Sequence, residues 1–225
     1  MTQSTDRRYD AVIFDLDGTL LDTLADLAGS VNAVMEQYGT GCRYSLEQVR
    51  SFVGNGIHKL MERTIPGGLQ HPQFDEIEQS FRAHYGEHCM DETEPYPGIP
   101  WLLEWLQRAG YGTAIVSNKA DFAVKKLNSI YFKGLIPSAI GEHEGCRRKP
   151  APDSVLRALL ELGVDRTRAV YVGDSEVDIE TARNAQMDCI LVGWGFRSRD
   201  ELLAHGADPG RIAANVKELR SMIAG

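Results

Sequence analysis

Three short apolar runs along the chain each break off at polar residues: AVIF before Asp15, YGTAIV before Ser117 and Asn118, and AVYV before Gly173 and Asp174. A fourth run, CILVGW from Cys189 to Trp194, has the same character. Runs that are apolar throughout, rather than alternating, suit strands covered on both faces. Between them the period changes to that of helices, over Ile99 to Gly110, Pro152 to Gly163 and Ser175 to Gln186. The second of these has Pro near its first turn and Gly just past its end, the asymmetry expected of helix termini. Strands alternating with helices predict an α/β fold with a parallel sheet and right-handed crossovers.

The stretch from Thr23 to Glu94 departs from this rhythm. It holds amphipathic helical patterns, LADLAGSVNAVMEQYG and FDEIEQSFRAHYGEHC, and no run that reads as a strand. It closes on EPYPG, where Pro95 and Pro97 favour a stiff, extended connector. The expected organisation is an α/β core from 1–22 and 95–225, interrupted by a helical insert over 23–94. Trp101 and Trp105, four apart, are expected to pack the core.

Composition narrows the functional classes. With 225 residues, the chain is long enough for a core plus a smaller unit. Its 43% hydrophobic and 25% charged content is ordinary for a globular protein. A formal net charge of -8 argues against nucleic acid and anionic lipid as partners. A local cation can still draw an anionic substrate into one pocket. The amino-terminal MTQSTDRRYD is polar, and no apolar run approaches the roughly 18 to 20 residues that span a bilayer. Cys42, Cys89, Cys146 and Cys189 are scattered, without a CxxC pair, and read as reduced thiols. These features together predict a cytoplasmic protein.

In open parallel sheets, ligands bind beyond the carboxyl ends of the strands, so the three polar clusters can converge on one pocket. Asp15 and Asp17 share a face if strand geometry continues through them. Two adjoining acids repel one another and are costly to desolvate. A calcium loop does not fit, because Gly18 falls at position 4 instead of 6. An Asx turn in DLDG accounts for the pair only in isolation. VGDSEVDIETA adds Asp174 at a strand end and Asp178 one helical turn later, with Ser175 also placed to cap that helix. Hard carboxylates without His or thiolate suit Mg²⁺, which would offset the repulsion.

Lys149 stands before Pro150 in RRKPAP, held extended in a loop or lying in a solvated basic turn. Ser117 and Asn118 offer a hydroxyl and backbone N–H groups to a phosphate oxygen. Cation, hydroxyl, amides and metal are what in-line phosphoryl transfer needs, and carboxylate nucleophiles provide a covalent route. His84, His88 and Cys89 lack a fourth ligand and read as a polar helix face, not a zinc site.

DLDGT, SN, a Lys before Pro, and GDSEVD occur in the order and spacing of the haloacid dehalogenase-like phosphohydrolases, which the chain resembles from Asp15 to Asp178 and, through the flanking elements, over nearly its whole length. The resemblance implies a Rossmann-like core of three α/β/α layers with an inserted helical cap. It implies Asp15 as nucleophile, forming an aspartyl-phosphate and touching Mg²⁺ through its other oxygen. Asp17 would be the acid and then the base, with its carbonyl on the metal. Ser117, Asn118, Gly18 and Thr19 would bind the phosphoryl group, and Lys149 would neutralise charge on Asp15 and the phosphate. Asp174 would ligate Mg²⁺ directly, and Asp178 from behind it or through water. Within the family, FDLDGTLLDT, VGNGIHKLMER, SNK, RRKPAP and GWGFRS are similar to phosphoglycolate phosphatases. Close relatives act on sugar phosphates, nucleotides or pyrophosphate, and a phosphomutase or a non-enzymatic receiver would share the phospho-Asp chemistry.

Two positions depart from the pattern: Ala120 where Pro is common, and Gln186-Met187 where Ala-Gly is usual. In the insert, Asn55 lies between Gly54 and Gly56, which let backbone approach a small ligand. Lys59 and Arg63, four apart, would meet a substrate carboxylate if their helix faces the core, and otherwise form an exposed basic face. The expected partner is a small phosphorylated metabolite bound by a monomer or homodimer.

Overall fold

The run Ala11–Phe14 forms β1 in the computed structural model, with all four residues buried. Parallel strands flank it on both sides, β4 (Gly112–Ala120) and β6 (Ala169–Gly173). β5 (Ser138–Glu142) lies outside β4, while β7 (Asp188–Val192) and β8 (Ile212–Ala213) extend the other edge. The sheet order is β5-β4-β1-β6-β7-β8, parallel throughout. Alternate residues of one strand enter different apolar clusters: Val12 and Phe14 join Ile115, Val170 and Val172, whereas Ala11 and Ile13 join Ala114, Val116 and Tyr171. Both faces of the sheet are therefore covered, which is why the central strands β1 and β6 are apolar throughout. The result is a three-layer, Rossmann-like α/β/α core. The structure describes residues 7–225; part of the polar amino-terminal segment, 1–6, lies outside them.

The helices of the core follow their capping chemistry. α5 (Ile99–Arg108), α6 (Asp121–Tyr131), α7 (Asp153–Leu162), α8 (Glu176–Ala185), α9 (Arg199–Ala204) and α10 (Val216–Ala224) fill the connections and the carboxyl end. Pro152 stands immediately before α7, and Gly163 ends it at φ 66°. Ser175 and Asp178 form a capping box on α8, which ends on Gln186 in the left-handed region at φ 56°. Among the described residues, Gln186 is the sole non-glycine with positive φ. The expectation for the tryptophans needs correcting at Trp101. The apolar face of α5 is Leu102, Leu103 and Leu106, so Trp101 is 42% exposed beneath the guanidinium of Arg220. Trp105 does pack against the main cluster.

The helical insert leaves and rejoins the core through one narrow ribbon. β2 (Leu21–Asp22) pairs antiparallel with β3 (Glu94–Pro95). Between them lie α1 (Leu24–Gln37), α2 (Leu46–Phe52), α3 (Gly56–Thr64) and α4 (Phe74–His88). These four pack around their own apolar cluster, including Val31, Val34, Met61, Ile77 and Phe81. The buried carboxylate of Asp26 accepts from Glu92 N at 2.9 Å, Thr93 N at 3.0 Å and Thr93 Oγ1 at 2.7 Å, tying the start of the bundle to its return. Among the described residues, no helix is long and apolar enough to cross a membrane.

Candidate active site

Beyond Phe14 the backbone stays extended, and Asp15 N donates to Val172 O at 2.8 Å. Side chains therefore alternate: Leu16 is fully buried in the main cluster, and Asp15 and Asp17 both face a cavity between sheet and bundle. β4 repeats the device. Its pairing with β5 slips between Val116 and Ala120, and Ser117 and Lys119, two apart, also line the cavity. The chain then has to turn after Asp17, and Gly18 does so at φ 83°, where a Cβ would lie 2.3 Å from Asp174 Oδ2. Thr19 is fully buried, and its hydroxyl donates to Asp174 Oδ1 at 3.4 Å. Gly18 and Thr19 thus shape the turn around Asp174 and do not line the cavity.

Lys149 arrives from the far side on a loop pinned by Asn118. Asn118 Nδ2 donates to Lys149 O at 3.1 Å, and Lys149 N donates to Asn118 Oδ1 at 2.8 Å. The Lys149 ammonium donates to Asp15 Oδ1 at 2.7 Å, Asp178 Oδ1 at 2.9 Å and the Tyr171 hydroxyl at 3.0 Å. Asp178 Oδ1 also accepts from the Tyr171 hydroxyl at 2.8 Å, and its Oδ2 accepts from Asp174 N, Ser175 N and Ser175 Oγ at 2.7–3.1 Å. Asp178 is 0% exposed and saturated with donors, so it orients Lys149 and the Asp174 loop. Asp174 Oδ2 accepts from Phe196 N at 2.6 Å.

The electrostatics ask for a further cation. Burial pushes the Asp15 carboxyl up to about 7 against the pull of Lys149, and burial together with Asp178 and Asp15 raises Asp174 well above the usual carboxylate range. Burial also acts on Asp178, but Lys149, Ser175 and Tyr171 outweigh it and hold its carboxyl low. One carboxylate oxygen each from Asp15, Asp174 and Asp178 lies within 4.8 Å of the others. Four carboxylates, with Asp17, face the two ammonium groups of Lys149 and Lys119, so full ionisation would leave two negative charges without a counter-ion. An all-oxygen donor set with that deficit fits a hard divalent cation.

Three contributors are absent from the sequence-based site. Lys119 donates to Asp17 Oδ1 at 2.8 Å and to the hydroxyl of Tyr85, which reaches over from α4. Burial disfavours the Lys119 charge, yet Asp17 and Tyr85 more than compensate and raise its pKa. Arg197, 8% exposed, pairs with Glu176 at 2.8 and 3.0 Å and donates to the bundle carbonyls of Arg50 and Val53 at 3.2 and 2.8 Å. The signal for Lys119 was available: it stands two residues after Ser117, as Asp17 stands two after Asp15. Tyr85 and Arg197 carry no such local signal.

The bundle residues expected to bind substrate fall differently. Gly54 and Gly56 line the cavity, but Asn55 does not, because it serves as the residue before α3. Lys59 is exposed and paired with Glu62, and Arg63 is exposed and donates to Phe52 O at 2.5 Å. Their expected contact with substrate is corrected: α3 buries Leu60, Met61 and Thr64, which turns Lys59 and Arg63 to solvent. Ser117, Asn118, Lys149, Asp15, Asp17 and Asp174 all line one cavity of about 80 Å³.

Known proteins resemble this chain in sequence and in shape. A phosphoglycolate phosphatase of Aquifex aeolicus is 33% identical over 186 residues, 82% of this chain and 85% of that one. An N-acetylmuramic acid 6-phosphate phosphatase of Pseudomonas aeruginosa is 32% identical over 203 residues, 89% of each. A crystal structure from Lactobacillus delbrueckii subsp. bulgaricus, of a protein proposed to be a phosphoglycolate phosphatase, superposes with a TM-score of 0.91 at 38% identity, covering 97% of this chain and 99% of that one. Residues 12–192 match the profile of the haloacid dehalogenase-like hydrolases. With sheet, polar strand ends and relatives in agreement, the chain belongs to the haloacid dehalogenase-like hydrolases, and it is an enzyme of their phosphatase branch.

Proposed function

We propose that this enzyme hydrolyses 2-phosphoglycolate to glycolate and phosphate in a Mg²⁺-dependent reaction. The observation that carries the chemistry is the convergence of Asp15, Asp17, Ser117, Lys149 and Asp174 on one small cavity. A carboxylate oxygen of Asp15 attacks phosphorus while Asp17 gives its proton to the departing glycolate oxygen. Asp17, now a base, takes a proton from water; the water oxygen attacks phosphorus, and the bond to Asp15 breaks. Ser117 Oγ, fixed by accepting from Lys119 N at 3.1 Å, turns its own hydrogen to a phosphoryl oxygen. Lys149 holds Asp15 in place and neutralises charge as phosphorus is approached. Asp15, the Asp17 carbonyl and Asp174 would hold Mg²⁺, with Asp178 behind them. When bound, the ion supplies positive charge for the phosphoryl oxygens.

The α1–α4 bundle acts as a cap whose closure excludes water from the first transfer and whose opening admits it for the second. The substrate assignment draws on the phosphoglycolate phosphatases among the relatives and on the small cavity. The residues proposed for the site all come from one chain, which suits a monomer or a homodimer, and the four free cysteines suit the cytoplasm. The test is a panel of small phosphate esters, with and without Mg²⁺, alongside Asp15→Asn. 2-Phosphoglycolate should rank first, and Asp15→Asn should lose turnover while keeping its fold. A dominant sugar phosphate, such as N-acetylmuramic acid 6-phosphate, would overturn the substrate; an active Asp15→Asn would overturn the nucleophile.

A further inference from the structure

Of the two ammonium groups that line the cavity, one has a donor that is not used up. Lys149 gives all three N–H groups to Asp15, Asp178 and Tyr171. Arg197 is held by Glu176 and by the carbonyls of Arg50 and Val53. Lys119 has the Asp17 carboxylate and the Tyr85 hydroxyl, and among the described residues no third acceptor. Its side chain is only 5% exposed, so whatever occupies the cavity meets this ammonium without intervening bulk water.

We propose that Lys119 is the specificity-determining residue of the cavity and that it receives the carboxylate of the substrate's alcohol portion. The proposal rests on the phosphoglycolate reading and deepens it. To protonate the ester oxygen, Asp17 must lie within hydrogen-bond reach of it, about 2.6–3.2 Å. In 2-phosphoglycolate the carboxylate carbon is two bonds from that oxygen. Lys119 Nζ is 2.8 Å from Asp17 Oδ1, so an acid pointed at the ester oxygen has an ammonium directly beside it, on the side where a carboxylate two bonds away can reach. A hydroxyl there forms only a neutral-acceptor bond, and a methyl group leaves the ammonium unpaired. The bundle contributes through Tyr85: its hydroxyl and ring flank Nζ, with the ring centroid 4.6 Å away, and fix where the charge stands. Selection thus resides on strand β4 of the core, steadied by a single bundle side chain.

The discriminating experiment compares 2-phosphoglycolate with 2-hydroxyethyl phosphate, which has a CH₂OH in place of the carboxylate. If the wild-type enzyme does not prefer phosphoglycolate, the functional reading itself fails before any variant is made. Given that preference, Lys119→Met should lower kcat/KM for phosphoglycolate by about 10- to 100-fold more than for hydroxyethyl phosphate, mostly through KM. The loss common to both esters reports the effect on Asp17, and the difference reports the carboxylate. Equal losses would overturn the proposal. Tyr85→Phe keeps the ring and removes the hydroxyl, and should show the same selective loss at about threefold to tenfold. Should Lys119→Met fail to fold, an unchanged ester ratio in Tyr85→Phe overturns the proposal, and a selective loss supports it.

Discussion

Removing Arg197 tests whether the bundle is held shut from the core side. Of its four hydrogen bonds, the two to Glu176 stay within the core, and those to Arg50 O and Val53 O cross to the bundle. A hydrogen bond involving a charged group contributes about 1.5–3 kcal/mol net. At the lower end, two such bonds favour closure by about 3 kcal/mol, or roughly 100-fold in the closed-to-open ratio. Arg197→Gln alone also strands Glu176, whose side chain is only 22% exposed. The double variant Arg197→Gln/Glu176→Gln removes that complication, because no unpaired charge remains. Both variants should raise KM between about tenfold and 100-fold, and small-angle scattering should show a larger radius of gyration without ligand. The single variant should lose more thermal stability than the double. If the double variant keeps the parent's KM and radius of gyration, Arg197 does not latch the bundle, and the view of α1–α4 as a closing cap loses its support.

Mg²⁺ should raise the Tm of the parent, and Asp174→Asn should abolish that rise while itself melting at or above the metal-free parent, since it removes a carboxylate whose ionisation burial opposes. Gln186→Gly should stabilise: the left-handed conformation costs a non-glycine about 1–2 kcal/mol, glycine returns about 0.5–1 kcal/mol as chain entropy, and the balance is a rise of about 0.5–1 kcal/mol. An unchanged or lower Tm would refute it. Asp188 accepts from Tyr9 and Arg8, which hold its carboxyl below the ordinary range. A lowered folded-state pKa stabilises fully above the unfolded value, about 3.9, and the benefit disappears as pH falls through the folded value. Asp188→Asn should therefore lower Tm at pH 7 by an amount that shrinks below about pH 4; a constant deficit would refute the attribution.

The parts legible in the sequence share a short-range signature. β1, β4 and β6 were visible because strands buried on both faces are apolar throughout, and their polar ends fell together because parallel strands end at one side. The two-residue strands β2, β3 and β8 have no period to detect, and β5, SAIGE, is too weakly apolar to stand out. Asp15, Asp17, Ser117, Lys149 and Asp174 announced themselves by position after a strand or before a proline. Arg197 and Tyr85 did not, since each acquires its partners from segments more than 20 residues away. Lys59 and Arg63 misled for a related reason: spacing of four places two side chains on one helix face without saying which way that face looks.

The β2–β3 ribbon has a consequence for how the molecule assembles. Phe14 pairs with Ile115, so forming the centre of the sheet requires closing a chain segment of about 100 residues. The helical bundle has its own apolar centre, and the ribbon and Asp26 bring its two ends together. If the bundle condenses first, the segment still to be closed shrinks to about 30 residues, which lowers the loop-closure cost by about 1 kcal/mol and speeds sheet formation severalfold. Pulse-labelled hydrogen exchange during refolding should then find α1 and α4 protected before β1 and β4, and the reverse order would refute this. The segment that interrupts the core in sequence thereby shortens the path by which the core closes.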